Sequence, residues 1–183
     1  MKILGRLFGL FTGGLMLGSV AGLLAARAAK QRIQPLDAPD ADDVRLTAIF
    51  EPLSFRSTAT QFRGGTLDCW YGGGIIDLRE AVLDPAGAHL EVRAVFGGAQ
   101  IVVPESWRVS SNVYGIGGLS DTRPRVEHEP AAPHLTIDGL AIFGGFGVTS
   151  DLPDAAAHEL DEAVARSRAR RDAVAIPVGV QAT

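Results

Sequence analysis

Between Val44 and Ser150, apolar and polar residues alternate in short runs that predict β-strands. The clearest run is His89–Phe96, in which Leu, Val, Ala and Phe alternate with His, Glu and Arg. A period of two residues is typical of a strand with one buried face. Glycine and β-branched residues are frequent in this region and disfavour a helix. The pattern therefore predicts a mainly β domain.

The strand-like runs belong to a repeat with a glycine corner. In each copy a run ends at an apolar, usually aromatic residue, a glycine pair follows, and a second run begins; Thr66–Leu78 and His89–Val103 are the clearest copies. The copy that ends at Phe50 is degenerate, because Glu and Pro follow it. A spacing of roughly 20–30 residues between copies is typical of solenoids and other repeat arrays. The residues before the five corners are Phe50, Tyr71, Phe96, Ile116 and Phe143.

We therefore predict a β-solenoid-like stack of glycine-cornered repeats. Glycine lets the backbone take positive φ and bend sharply, so these residues are expected to shape corners and to bind nothing. A phosphate-binding loop would need a following helix and a Lys-Ser/Thr pair or a regular Gly-x-Gly-x-x-Gly pattern, and the chain has neither. The predicted structural corner residues are Gly73, Gly74, Gly97, Gly98, Gly117, Gly118, Gly144 and Gly145.

The first 32 residues predict a transmembrane anchor. Leu7–Ala26 contains no charged residue, and as a helix it would span about 30 Å, the thickness of a bilayer core. A cleaved signal peptide is the alternative, although its apolar stretch is usually shorter. The basic flanks slightly favour a cytoplasmic β domain but do not decide on which side of the membrane it lies.

Gly14, Gly18 and Gly22 share one face of the predicted helix. Small residues at this spacing let membrane helices approach closely, although glycine is also common in membrane helices that make no such contact.

Three further segments complete the chain. Residues 33–43, rich in proline and aspartate, predict a linker to a β domain at 44–150. Residues 122–133 interrupt the repeat with a charged, proline-rich surface loop, either a contact site or a solvated spacer.

Residues 151–183 predict a C-terminal helix and tail. Pro153 suits the first turn of a helix, and acidic residues early in the helix precede arginines late in it, which suits the helix dipole. The weak apolar stripe predicts an exposed helix, and its arginines could touch lipid headgroups or water.

Charge and candidate chemical groups argue against two large classes of function, nucleic-acid binding and catalysis. The 183 residues carry a net charge of −4, whereas nucleic-acid binding needs a basic face. The four histidines have no metal-ligand spacing, and Cys69 lies in an apolar strand beside Trp70. Asp68, Asp77 and Asp84 recur on the repeat, but carboxylates on strands are usually solvated or form turns. We predict no catalytic residue, no cofactor and no metal ion, and therefore no enzyme.

Several motifs resemble the C-terminal domain of the cell-wall-active antibiotics response (LiaF-like) proteins. They are Ile76–Ala81, Val95–Gly98, Ile101–Glu105 and Trp107–Val109, while Gly117–Pro124 is similar to single-span actinobacterial relatives. The resemblance covers residues 64–149 and implies a β-solenoid-like domain tethered to the membrane. The best-known members regulate envelope-stress signalling by restraining a sensor kinase. Those regulators have several membrane spans where this chain predicts one.

Two functional hypotheses fit these features. The first is a non-enzymatic, single-pass cell-membrane protein whose β domain is a regulatory or protein-interaction module of the cell-envelope stress response. Its partner would be another membrane or signalling protein. The alternative is a self-associating structural scaffold of bactofilin-like type, a homo-oligomer that needs unpaired strand edges at both ends of the stack.

Overall fold

The computed structural model describes residues 37–124 and 132–175, which lie in one compact unit, Leu36–Thr183. These residues form two five-stranded parallel sheets and one helix, so the mainly β prediction with a C-terminal helix is confirmed. The elements are β1 (Asp43–Ile49), β2 (Pro52–Arg56), β3 (Gly64–Trp70), β4 (Gly73–Asp77), β5 (Ala88–Val95), β6 (Gly98–Val102), β7 (Arg108–Tyr114), β8 (Gly117–Asp121), β9 (His134–Ile142), β10 (Gly144–Thr149) and α1 (Asp154–Ala175).

Successive strands alternate between the two sheets. The first sheet has the order β1-β3-β5-β9-β7 and the second has the order β2-β4-β6-β10-β8. One rung therefore consists of a strand of the first sheet, a tight corner and the next strand in the second sheet. Neighbouring rungs pair in parallel, so that Leu46, Leu67 and Val92 lie side by side.

The rungs do not stack in chain order. The β9–β10 rung lies between the β5–β6 rung and the β7–β8 rung, which is outermost. Residues 122–133, which join β8 to β9, form the longest connection between consecutive strands. Paired strands lie about 4.8 Å apart, so a connection of this length can pass an extra rung. The interruption of the repeat thus coincides with the change in stacking order.

Inward-facing side chains of both sheets fill one apolar core. Burial of one such Leu, Ile or Phe stabilises the fold by about 1.5–3 kcal/mol. Each rung contributes only a few of them, so the core closes only when several rungs stack. Its largest fully buried members include Phe55, Phe62, Leu46, Leu67, Ile76, Leu90, Ile101 and Ile137.

Helix α1 packs on the outer face of the second sheet. Leu160 is fully buried and clusters with Leu152 and with Val102 of β6, while Ile75 of β4 packs against them. The second half of the helix, including Val164, lies beside β2. Most residues of the helix are exposed, as expected. The helix has only a weak apolar stripe, but Leu160 packs over the outward-facing Ile75 and Val102 and so attaches it to the sheet.

A charged network joins α1 to the same face. The side chain of Asp77, 2% exposed, accepts hydrogen bonds from Arg56 Nε at 3.0 Å and Arg79 Nε at 2.9 Å. Arg56 Nη2 also donates to Asp161 of the helix at 2.8 Å. Burial raises the pKa of Asp77, but hydrogen bonds and charge from Arg79 and Arg56 outweigh it and hold the pKa below its usual value. Asp77 is therefore a buried anion with two cationic partners.

In the part of the chain that the structure describes, no helix is long and apolar enough to cross a membrane. The predicted anchor at residues 1–32, with Gly14, Gly18 and Gly22, lies outside the described residues. Residues 33–36 of the predicted linker, residues 125–131 and residues 176–183 also lie outside them.

Candidate interaction surface: an aromatic ladder

Four aromatic residues occupy the same place in four rungs, directly after a strand of the first sheet. Phe50, Tyr71, Phe96 and Phe143 all have φ between 51° and 54°. This left-handed conformation is rare for bulky side chains. The four rings point away from the core and are 50–63% exposed. We call these four residues the aromatic ladder.

Hydrogen bonds between rungs hold the ladder residues in this conformation. The backbone N–H of Tyr71 donates to the carbonyl oxygen of Val95 at 2.9 Å, and that of Phe96 donates to Ile142 at 2.9 Å. A left-handed non-glycine residue costs about 1–3 kcal/mol. Glycine would adopt the same φ at lower cost. The repeated choice of a ring therefore indicates that the ring itself has a role.

The four rings form a continuous stack. Successive ring centroids lie 5.2, 5.1 and 5.0 Å apart, with interplanar angles of 10°, 16° and 15°. Each stacked pair contributes about 0.5–1.5 kcal/mol beyond its buried area. Because the inner rings, Tyr71 and Phe96, have a neighbour on both faces, the surface that they offer to other molecules consists largely of ring edges.

The predicted corner glycines lie in the corners or at the first two positions of the second-sheet strands. There the backbones of neighbouring rungs approach closely: a Cβ atom on Gly98 would lie 1.8 Å from the carbonyl oxygen of Gly145. Positive φ lies instead on the preceding ladder residue, and among the eight predicted glycines only Gly117 has a φ in the left-handed range. A Cβ atom on Gly118 would meet nothing within 4 Å. Close approach is therefore the main reason for glycine at these corners.

Further exposed apolar side chains border the ladder. Trp70 and Leu140 are 45% and 42% exposed on the outer face of the first sheet, Tyr114 pairs with Leu140, and Ile116 lies at the fifth corner. We call these four residues and the aromatic ladder together the ladder face. Among the described residues, nine large apolar side chains are exposed. All but Val82 belong to the ladder face, so the apolar surface is concentrated in one place.

Charged and polar side chains border this apolar surface on the first sheet. Arg93 lies 3.1 Å from Glu91 and 3.8 Å from Asp68, and His89 lies 3.5 Å from Asp138. Burial raises the pKa of Asp68, although the charge of Arg93 opposes the effect. The ladder face thus has an apolar centre and a charged border.

The residues considered for chemistry are not brought together. Burial raises the pKa of the Cys69 thiol to about 12, so the thiolate is scarce and the residue is inert. Asp68 and Asp77 lie on different sheets, and Asp84 accepts a hydrogen bond from the backbone of Ala86 in a turn. Within residues 37–124 and 132–175, no three His, Cys, Asp or Glu side chains are placed to hold a metal ion.

Sequence reasoning locates the ladder residues but does not predict their contact. In the sequence they serve as markers of a repeat, and their recurrence does not show that the rings touch. The available signal is the recurrence of an aromatic residue at one position of strands that pair in register. Comparisons with protein-family models, with curated proteins and with solved structures find no match to this chain.

Proposed function

We propose that this protein is a non-enzymatic interaction module whose ladder face binds another protein. In this proposal the β domain is a solenoid-like stack held at the cell membrane by Leu7–Ala26. The resemblance to LiaF-like domains supports a membrane or signalling protein of the cell-envelope stress response as the partner. The flanking charges of the anchor slightly favour a cytoplasmic β domain.

The observation that carries this proposal is the concentration of exposed apolar side chains on the ladder face. Scattered apolar residues are ordinary on protein surfaces, whereas a contiguous patch with a polar border marks an interaction site. Aromatic side chains are enriched in the centres of protein interfaces, with charged residues depleted there. They bury a large area while losing little conformational entropy. The border around Arg93 matches the polar rim of such an interface.

The arrangement of the rings favours a protein partner over a carbohydrate. A sugar ring stacks on an open aromatic face, but the faces of the inner ladder rings are occupied by neighbours 5.0–5.2 Å away. Ring edges carry partial positive charge and pack well against the faces of other aromatic rings. A partner with apolar and aromatic side chains therefore fits the ladder face best.

Site-specific photo-crosslinking of the full chain in its native membrane tests this proposal. A benzophenone amino acid replaces Phe96 in the ladder, and in a second protein it replaces Val82, which is similarly exposed but lies outside the ladder face. We expect position 96 to give one discrete adduct with a second protein, and position 82 to give none. Trp70→Ser in the same chain should reduce the adduct at position 96.

Two results would contradict the proposal. Equal crosslinking at positions 82 and 96 would mean that the ladder face has no special affinity. An adduct of two copies of this chain at position 96 would favour self-association through this face. Circular dichroism of each variant establishes that the sheets are intact.

A self-associating scaffold is the second candidate, because in the described residues no strand lies beyond the β7–β8 end of the stack. In both sheets the sequence of neighbours ends at the β7–β8 rung. A filament needs two open ends, however, and at the other end Val164, Ser167 and Arg171 of α1 lie beside β2. Analytical ultracentrifugation of the full chain discriminates the two candidates, since a filament gives a broad, concentration-dependent distribution and a module gives one defined species.

A further inference from the structure

The outermost rung leaves part of the core unfinished. Val109 and Val113 of β7 point towards the core and pack against it, but they are only half-buried. Their neighbour on the same strand, Ser111, is exposed although it pairs with the fully buried Ile137. In the described ranges no strand lies on the outer side of β7. Within those ranges, its outward backbone groups are paired with no strand and its inner side chains are only partly covered.

Strand β7 itself lacks the residues that usually protect sheet edges. Edge strands are usually shielded by lysine, proline, a bulge or an inward-pointing charge. The strand reads Arg-Val-Ser-Ser-Asn-Val-Tyr, with no lysine or proline, and its only charged residue is Arg108 at the start, on the outer face. At the opposite end of the stack, α1 lies beside β2. The two ends of the stack are thus unlike, and head-to-tail growth is disfavoured.

The residue order of β7 is self-complementary when two copies run antiparallel. With Ser111 opposite Ser111, the inner residues Val109 and Val113 face each other. On the outer face, Arg108 lies opposite Tyr114, a cation–π pair, and no like charges meet. Directly opposite residues in an antiparallel pair have Cβ atoms about 4.5–5.5 Å apart, and apolar pairs at this distance stabilise the sheet.

We propose that β7 pairs with β7 of a second copy of this chain, antiparallel and centred on Ser111, to give a closed two-fold dimer. The first sheets of the two copies then form one continuous sheet. Both copies bury Val109 and Val113, and neither has an open β7 edge left, so assembly stops at two. This inference goes beyond the proposed function and leaves the aromatic ladder free for another partner.

The second sheet contributes less to this contact. In β8, Asp121 pairs with Val148 and therefore points inward, where it binds Arg123 with Oδ2···Nη2 at 2.7 Å. An inward charge at an edge discourages strand addition. Arg123 Nη1 also donates to the carbonyl oxygen of Trp107 at 2.9 Å, which ties the pair to the start of the same rung. The pairing is therefore confined to the first sheet.

Disulfide trapping of the full chain tests the register. In Ser111→Cys the two thiols would meet on the two-fold axis within disulfide distance. Tyr114→Cys is the matched control, because position 114 is exposed and lies on the same strand. In the proposed register it lies opposite position 108 of the second copy, six residues from position 114 of that copy. Under mild copper-phenanthroline oxidation, we expect the Ser111→Cys monomer to be lost to a linked dimer. The Tyr114→Cys monomer should persist.

When Arg108→Cys and Tyr114→Cys proteins are mixed and oxidised in the same way, we expect a linked dimer of one copy of each. The register places these two positions opposite each other. Association through the N-terminal segment alone would bring all exposed cysteines together and would link Tyr114→Cys as readily as Ser111→Cys. That result, or monomer in every sample, would overturn the proposal. The native Cys69 is fully buried and does not compete in the folded protein.

Discussion

The outer faces of the two sheets both carry apolar side chains, but only one face is covered by the described part of the chain. On the second sheet, Ile75 and Val102 lie under Leu160 of α1. On the first sheet, the outer face ends in Trp70 and the aromatic ladder, and these rings are about half exposed. The covered face stabilises the fold. The uncovered face adds apolar surface without equivalent burial among the described residues, and on this we base the proposal that it binds a partner.

The glycine corners connect the two sheets. Disruption of a corner should therefore have the largest effect on the free energy of unfolding. In Gly98→Ala the added methyl group would lie 1.8 Å from the carbonyl oxygen of Gly145, so the rungs must separate. We expect a loss of about 4 kcal/mol or more in unfolding free energy, measured by urea denaturation. Gly118→Ala is the matched control, because its methyl group meets nothing within 4 Å. Equal losses in both variants would exclude close approach as the reason for these glycines.

The next largest effect should separate the two faces directly. Leu160→Ala removes the buried side chain that docks α1 and should cost about 3 kcal/mol. Trp70→Ser, on the uncovered face, should change the unfolding free energy by less than about 1 kcal/mol, while it reduces crosslinking at position 96. Thermal and urea denaturation of the two variants measure the contrast. A larger loss for Trp70→Ser would mean that the ladder face is mainly a stabilising feature.

The charged network under α1 predicts a dependence on pH. The folded pKa of Asp77 lies below its ordinary value of 3.8, so its interactions stabilise the fold fully above pH 3.8 and are lost as the pH falls through the folded pKa. Asp77→Asn should cost about 2 kcal/mol at neutral pH, and its difference from the unaltered protein should shrink in acid. Denaturation at a series of pH values measures this convergence. A constant difference down to the lowest pH would contradict it.

The smallest effect concerns the stack of rings. Phe96 has a ring on both faces and Phe50 has a ring on one. Phe96→Ala should therefore cost about 1–2 kcal/mol and Phe50→Ala about half as much. Both side chains are at least half exposed, so loss of burial adds little. Equal costs measured by urea denaturation would show that stacking contributes no stability.

Local sequence is sufficient to predict the strands and their corners. Alternation in His89–Phe96 reports which side chains face the core, because side chains on a strand point to opposite faces in turn. The glycine pairs report the corners, although the reason for glycine at Gly98 is the nearness of Gly145 and not its own φ. Such a contact joins residues far apart in the chain, and local pattern cannot specify it.

What the sequence alone determined is the β class, the rung and the helix near the C-terminus. Only the tertiary structure decided that β9–β10 enters between two earlier rungs, that Leu160 finds Val102, and that four rings separated along the chain form one stack. The physical reason is the same in each case. Strand and turn preferences act between near neighbours, whereas stacking order, docking and ring contacts depend on which distant segments share a sheet.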